Sequence, residues 1–120
     1  MIFVGTDIVP IIRIENLIKE KGKRFLNHVY TKLEQNICNS KKSPFVHYSG
    51  KFAAKEAVKK ALLSSKLTKD IPLVSIEIQN DNDGTPLVHI SQESIKYAQL
   101  QISISHAGEY ATATAILELL

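Results

Sequence analysis

Residues 44–64 read Pro44-Phe-Val-His-Tyr-Ser-Gly-Lys-Phe-Ala-Ala-Lys-Glu-Ala-Val-Lys-Lys-Ala-Leu-Leu-Ser64, and this stretch decides the fold. Ser43 before it is a good N-cap, and Pro44 suits a first helical turn, where its missing N–H costs nothing. The spacing predicts one long helix over 44–64. Ala53, Ala57 and Ala61 recur every four residues as a narrow strip, small enough to let another backbone approach closely. At about 100° per residue, Glu56 and Lys60 stand one turn apart on a face shared with Phe52 and Ala53, while Lys51, Lys55 and Lys59 run along a neighbouring stripe.

Working outward, the flanks change period. Upstream, Ile2, Phe3, Val4, Ile8 and Val9 surround Gly5-Thr-Asp7, which predicts a first strand with a polar break and leaves Asp7 inside an apolar segment. Ile11, Ile14, Leu17 and Ile18 predict an amphipathic helix from 11 to about 21, stopped by Gly22. Phe25, Leu26, Val29 and Tyr30 form a second helical piece, and Thr31-x-x-Glu34 has the spacing of a capping box that opens another short helix. Residues 36–43 read as a loop and Leu67 to Pro72 as a connection. Downstream, alternation over 73–90 around Asp83-Gly84 predicts a hairpin. Ser91 to Gln99 reads as a short helix capped by Ser91. Leu100 to Leu117, broken at His106-Ala-Gly-Glu109, reads as a second hairpin. The expected class is α+β, a mostly antiparallel sheet packed against the long helix in one domain spanning 1–120.

The net charge of +3 conceals a division along the chain. Residues 1–66 hold 13 basic and 5 acidic side chains, whereas residues 67–120 hold 2 and 7. The 44% hydrophobic and 22% charged composition suits a globular domain and argues against a disordered or collagen-like chain. The N-terminus lacks a basic lead and the apolar runs are short, so neither a signal peptide nor a membrane span is expected. Cys38 is the single cysteine, which excludes an intrachain disulfide and a cysteine-based zinc cluster and fits a reducing cytoplasm.

Walker, dinucleotide-binding, zinc-protease and serine-hydrolase signatures are all missing, so any phosphate must be held by side chains and a metal. Two readings of Glu56 stand side by side. In one it forms a solvated i,i+4 ion pair with Lys60. In the other it converges with Asp7 to bind a hard cation such as Mg²⁺ through oxygen, with the surrounding lysines holding phosphate. Lys41, Lys42 and Lys51 supply charge around the start of the long helix. His106 closes an alternating strand, while His28, His47 and His89 carry weaker claims.

Taken together, Gly5-Thr-Asp-Ile-Val9, Lys51-Phe-Ala-Ala-Lys-Glu-Ala-Val-Lys-Lys-Ala61, Gly84-Thr-Pro86 and Ser103-Ile-Ser-His-Ala-Gly-Glu-Tyr-Ala-Thr-Ala113 resemble the holo-acyl-carrier-protein synthases, the single-module branch of the 4′-phosphopantetheinyl transferases. The resemblance implies an enzyme that moves the phosphopantetheine arm of coenzyme A to a serine of apo-acyl carrier protein in support of fatty acid biosynthesis, releasing adenosine 3′,5′-bisphosphate. It implies Asp7 and Glu56 as Mg²⁺ ligands and Lys60 as the group that holds phosphate at the reacting centre. The base that takes the serine proton stays open among Lys60, Glu56 and water. Lys51, Gly84, Pro86 and His106 match the coenzyme A site, with Lys41 and Lys42 as candidates for its 3′-phosphate. Arg13, Leu17, Lys21, Arg24 and Phe25 match the surface that receives the carrier protein.

Two departures are visible. Lys51 stands where the family usually has Arg, and Leu62-Leu-Ser-Ser-Lys-Leu67 replaces a Gly-rich turn, so Ser64, Ser65 and Lys66 are the expected substitutes there. Family members of this length form homotrimers with the cofactor between subunits, and the alanine strip and C-terminal strands are candidate contact surfaces. A non-catalytic basic module binding coenzyme A, nucleic acid or an acidic protein is the alternative; the chain has no aromatic stacking motif for nucleic acid, and no nucleic-acid or membrane partner is expected.

Overall fold

Helix α4 (Pro44–Ser65) is the axis around which the computed structural model, describing residues 1–120, is organised. Strand β1 (Ile2–Pro10) precedes helices α1 (Ile11–Lys21), α2 (Lys23–Val29) and α3 (Lys32–Asn39); after α4 come a 3₁₀ turn (Leu73–Ser75) and strands β2 (Ile76–Asn80), β3 (Pro86–Ile90), β4 (Gln99–Ala107) and β5 (Tyr110–Glu118). All strand pairs are antiparallel. They form two sheets, β1-β5-β4 and β2-β3.

The α4 sequence explains how closely the larger sheet packs. Ala53, Ala57 and Ala61 are completely buried, as are Ala111 and Ala115 on β5. Small residues therefore face each other across the helix–sheet interface. Gly5 on β1 completes it: a Cβ built there would lie 1.9 Å from the Ala57 carbonyl oxygen and 2.9 Å from the Ala61 nitrogen. The alanine strip is thus occupied by a strand of its own chain. The expectation that it offers surface to another subunit is wrong, because sequence spacing tells how near a backbone can come but not whose backbone it is. Gly5→Ala forces rigid backbone apart and should cost about 3 kcal/mol or more, read as a fall in Tm.

Pro44 occupies the first turn of α4 as expected, although Ser43 makes no side-chain capping bond. The helix ends on Lys66 in the left-handed region at φ 64°, a conformation that costs an L residue roughly 1–2 kcal/mol.

Three other expectations change. Helix α3 continues to Asn39, so the loop expected over 36–43 shrinks; Cys38, completely buried, draws that turn onto the core. The first hairpin opens on the 3₁₀ turn, and its strands begin only at Ile76. Residues 91–98 form no helix. The Ser91 N–H and hydroxyl both donate to the Ser75 carbonyl, at 3.0 and 3.4 Å, which turns the would-be cap to the hairpin, and a single turn, Ile95 N–H to the Gln92 carbonyl, is enough to seat Ile95 in the core.

Candidate active site

Strand β1 and helix α4 bring the first cluster together. Gly50 of α4 lies against Ile104 of β4, whose register partner Ala113 pairs in turn with Asp7. Gly5 lies against Ala57 and Ala61, so β1 runs opposite to α4 and Glu56 sits between the two contact points. Lys60 reaches back along the helix, as helical side chains do. Its Nζ lies 3.2 Å from Asp7 Oδ1 and donates to the Thr6 carbonyl at 2.8 Å. The i,i+4 pair between Glu56 and Lys60 does not form; Lys60 has turned to the strand. Asp7, Lys60 and Thr112 line an open cleft of about 360 Å³.

This donor set fits a hard divalent cation. Mg²⁺ keeps several waters and takes one or two protein carboxylates plus substrate phosphate oxygens. Asp7, with 17% of its side chain exposed, and Glu56, half-buried and engaged in no ion pair, supply that number. No group of three or more His, Cys, Asp or Glu side chains that could hold a metal ion by themselves is present.

A second cluster lies on the other flank of α4. Lys51 and Lys60 are nine residues apart, about two and a half turns, so they point to opposite sides of the helix. Lys51 is 6% exposed and donates to the Ile78 carbonyl of β2 at 3.3 Å. Two cavities meet there. One of about 110 Å³ is lined by His47, Lys51, Asn80 and His106; the other, of about 490 Å³, by Lys41, His47, Lys51, Asp81 and Gly84. Gly84, at φ 83°, shapes the β2–β3 turn in a conformation that favours glycine. Burial, and then the nearby Lys41 and Lys51 ammonium groups with His106 beside them, push the His47 imidazole below its ordinary pKa.

The remaining candidates are dispersed. Lys42 is exposed beside Lys41, and Pro86 pairs in register with the lining residue Asn80. Ser64 is exposed one turn beyond Lys60, and Lys66 caps the helix end. Arg13, Leu17 and Lys21 follow one another at four-residue spacing on α1, and Lys21, Arg24 and Phe25 line a basic cleft of about 250 Å³ with His28. Burial pushes the Cys38 thiol up to about 11, too high for a nucleophile at neutral pH.

Sequence reasoning placed Lys55 on a stripe of α4 with Lys51 and Lys59 and gave it no partner. It is instead wholly buried and paired with the equally buried Glu34. His47 also gained importance, since only the fold reveals that it faces both cavities.

Comparison with known proteins shows the family. Residues 3–115 match the family model of the 4′-phosphopantetheinyl transferase superfamily. The chain is 47% identical over 116 residues to a holo-acyl-carrier-protein synthase of Protochlamydia amoebophila, covering 94% of both chains. It is 41% identical to that of Thermodesulfovibrio yellowstonii, over 95% of this chain and 96% of the relative. The crystal structure of Helicobacter pylori holo-acyl-carrier-protein synthase in complex with coenzyme A superimposes with a TM-score of 0.84 at 31% identity, over 96% of this chain and 99% of that one. A shared superfamily model and near-full-length identity of this order show the family: the chain belongs to the 4′-phosphopantetheinyl transferase superfamily and, within it, to the holo-acyl-carrier-protein synthases.

Proposed function

We propose that this chain, acting as one domain over 1–120, transfers the 4′-phosphopantetheine arm of coenzyme A to a serine of apo-acyl carrier protein, with Asp7, Glu56 and Lys60 at the reacting centre. The observation that carries the reading is the pairing of Lys60 with Asp7 one helical turn from the otherwise unpaired Glu56. In the reaction the serine hydroxyl gives its proton to a base, its oxygen forms a bond to the β-phosphorus of the pyrophosphate, the bond from that phosphorus to the bridging oxygen breaks, and adenosine 3′,5′-bisphosphate leaves with the bridging oxygen.

Each residue has a physical task. Asp7 and Glu56 would hold Mg²⁺, which when bound neutralises charge on the pyrophosphate oxygens. Asp7 and the Thr6 carbonyl fix the Lys60 ammonium, leaving it an N–H to stabilise charge that builds on the transferring phosphate. On the other flank, Lys41, Lys51 and His106 would hold the anionic end of coenzyme A, with Gly84 and Pro86 shaping the wall. Lys42, Ser64 and Lys66 stand by as outlying phosphate contacts. Arg13, Leu17, Lys21, Arg24 and Phe25 would receive the acidic carrier protein, and the basic cleft beside α2 supports this. No helix is long and apolar enough to cross a membrane. The free thiol of Cys38 supports work in the cytoplasm.

The two clusters sit on opposite flanks of α4, which supports a homotrimer in which one subunit's Asp7–Glu56–Lys60 centre faces its neighbour's Lys51–His106 cavity. The outer face of the larger sheet, with Ile2, Val4, Ile8 and Ile116 exposed, is a suitable contact surface. Mixed trimers test it. Glu56→Ala and Lys51→Ala subunits, each impaired alone, should regain up to roughly a quarter of normal turnover when refolded together in equal amounts, because one interface in four then has both halves intact. Failure to regain turnover in demonstrably mixed trimers would place both halves in one subunit.

A further inference from the structure

Glu34 and Lys55 form an ion pair that the transfer reaction does not touch. Both side chains are 0% exposed, and none of their polar atoms is left without a partner. Besides Glu34, the Lys55 ammonium donates to the Val29 carbonyl at 2.7 Å and the Leu73 carbonyl at 3.2 Å, which accounts for its three N–H groups. Glu34 Oε1 accepts the Thr31 N–H at 2.8 Å, closing the capping box of α3, and Oε2 accepts the Ile78 N–H at 2.7 Å. One pair therefore ties the end of α2, the start of α3, α4, the 3₁₀ turn and β2.

Its most consequential contact is with Ile78. In a strand the N–H and C=O of one residue point to the same edge. At Ile78 that edge faces away from β3 and is covered by side chains in place of another strand: Glu34 takes the N–H, and Lys51 donates to the carbonyl at 3.3 Å. That carbonyl is the sole hydrogen-bond acceptor of Lys51, whose side chain also lines both cavities. An ammonium anchored by one N–H aims the other two according to where the anchor sits. We infer that Glu34 and Lys55 are positioning residues: by fixing the β2 edge at Ile78 they set the direction in which Lys51 presents its free N–H groups to the anionic end of coenzyme A. This rests on the proposed reading of that cavity as the coenzyme A site.

The joint variant Glu34→Gln/Lys55→Met tests it, since removing both charges together leaves no unpaired buried ion. A glutamine side chain has one acceptor oxygen where Glu34 has two, so the replacement cannot hold Thr31 and Ile78 together. The variant should stay folded, bind coenzyme A about tenfold more weakly by calorimetry and leave the KM for carrier protein unchanged. In a Lys51→Ala background the same double change should add less than about twofold. Wild-type affinity in the folded double variant, or a full tenfold loss on top of Lys51→Ala, overturns the inference. Should the double variant not fold, Glu34→Asp decides: it keeps the charge but withdraws the carboxylate by one methylene, and undiminished coenzyme A affinity then counts against the role. A wild-type protein that binds no coenzyme A would instead refute the reading of the cavity.

Discussion

Glu56→Ala should lower phosphopantetheine transfer by about a thousandfold or more while leaving Tm within a few degrees of the wild type. The contrast follows from where Glu56 stands. Its half-buried carboxylate takes part in no ion pair, so its loss removes little that holds the fold together. In the proposed reaction it would supply one of the two carboxylates that hold the cation, and Asp7 alone, already drawn to Lys60 at 3.2 Å, would be a poor substitute. Steady-state turnover at saturating Mg²⁺, with a melting curve on the same sample, reads both halves. Turnover within tenfold of wild type would remove Glu56 from the reacting centre.

The second large effect is on stability. Replacing Glu34 alone by Ala, or Lys55 alone by Met, should cost about 3–5 kcal/mol, because each strands the other's charge where no water reaches it. In a domain of this size that corresponds to a fall in Tm of roughly 10 °C or more. The joint replacement should be far milder, which separates the desolvation cost of an orphaned ion from any net value of the pair. Alkaline pH adds a check with a definite sign. Burial holds the Lys55 ammonium below the ordinary lysine range, with Glu34 offsetting part of that effect. Without Glu34 the offset disappears and the folded-state pKa drops further. Between that lowered value and the ordinary one, the unfolded chain binds the proton and the folded chain does not, so stability rises with pH. The deficit of Glu34→Ala relative to wild type should therefore shrink between neutral pH and pH about 10. A deficit that stays constant or widens would show that a charged Lys55 is not what destabilises the variant.

Local signals in the chain were reliable where one element answers to its own periodicity. The entry of α4 at Pro44, the capping box of Thr31 and Glu34, and the alternation of Ala111, Ala113 and Ala115 with Thr112 and Thr114 all follow from spacing of four or fewer residues. Asp7 was legible too, since a carboxylate in an apolar strand is costly without a partner. Its partner was not. Lys60 lies 53 residues away, and helix spacing favoured Glu56 for it until the fold brought the Thr6 carbonyl and Asp7 within reach. Lys55 looked like one more solvated lysine because its carboxylate is on another helix. Ser91 has a good cap residue's chemistry, yet its hydroxyl is turned to the Ser75 carbonyl across the hairpin. The separation of Lys51 from Lys60 onto opposite flanks was present in the nine-residue interval but acquired meaning only when each flank proved to face a different cavity.

Intact-mass spectrometry of apo-acyl carrier protein incubated with this protein, coenzyme A and Mg²⁺ tests the central claim most directly. The account predicts a gain of about 340 Da, one phosphopantetheine arm per carrier, that is lost when Mg²⁺ is chelated or Glu56 is replaced by Ala. An unchanged carrier mass, across several carrier proteins and with a folded enzyme, would contradict it.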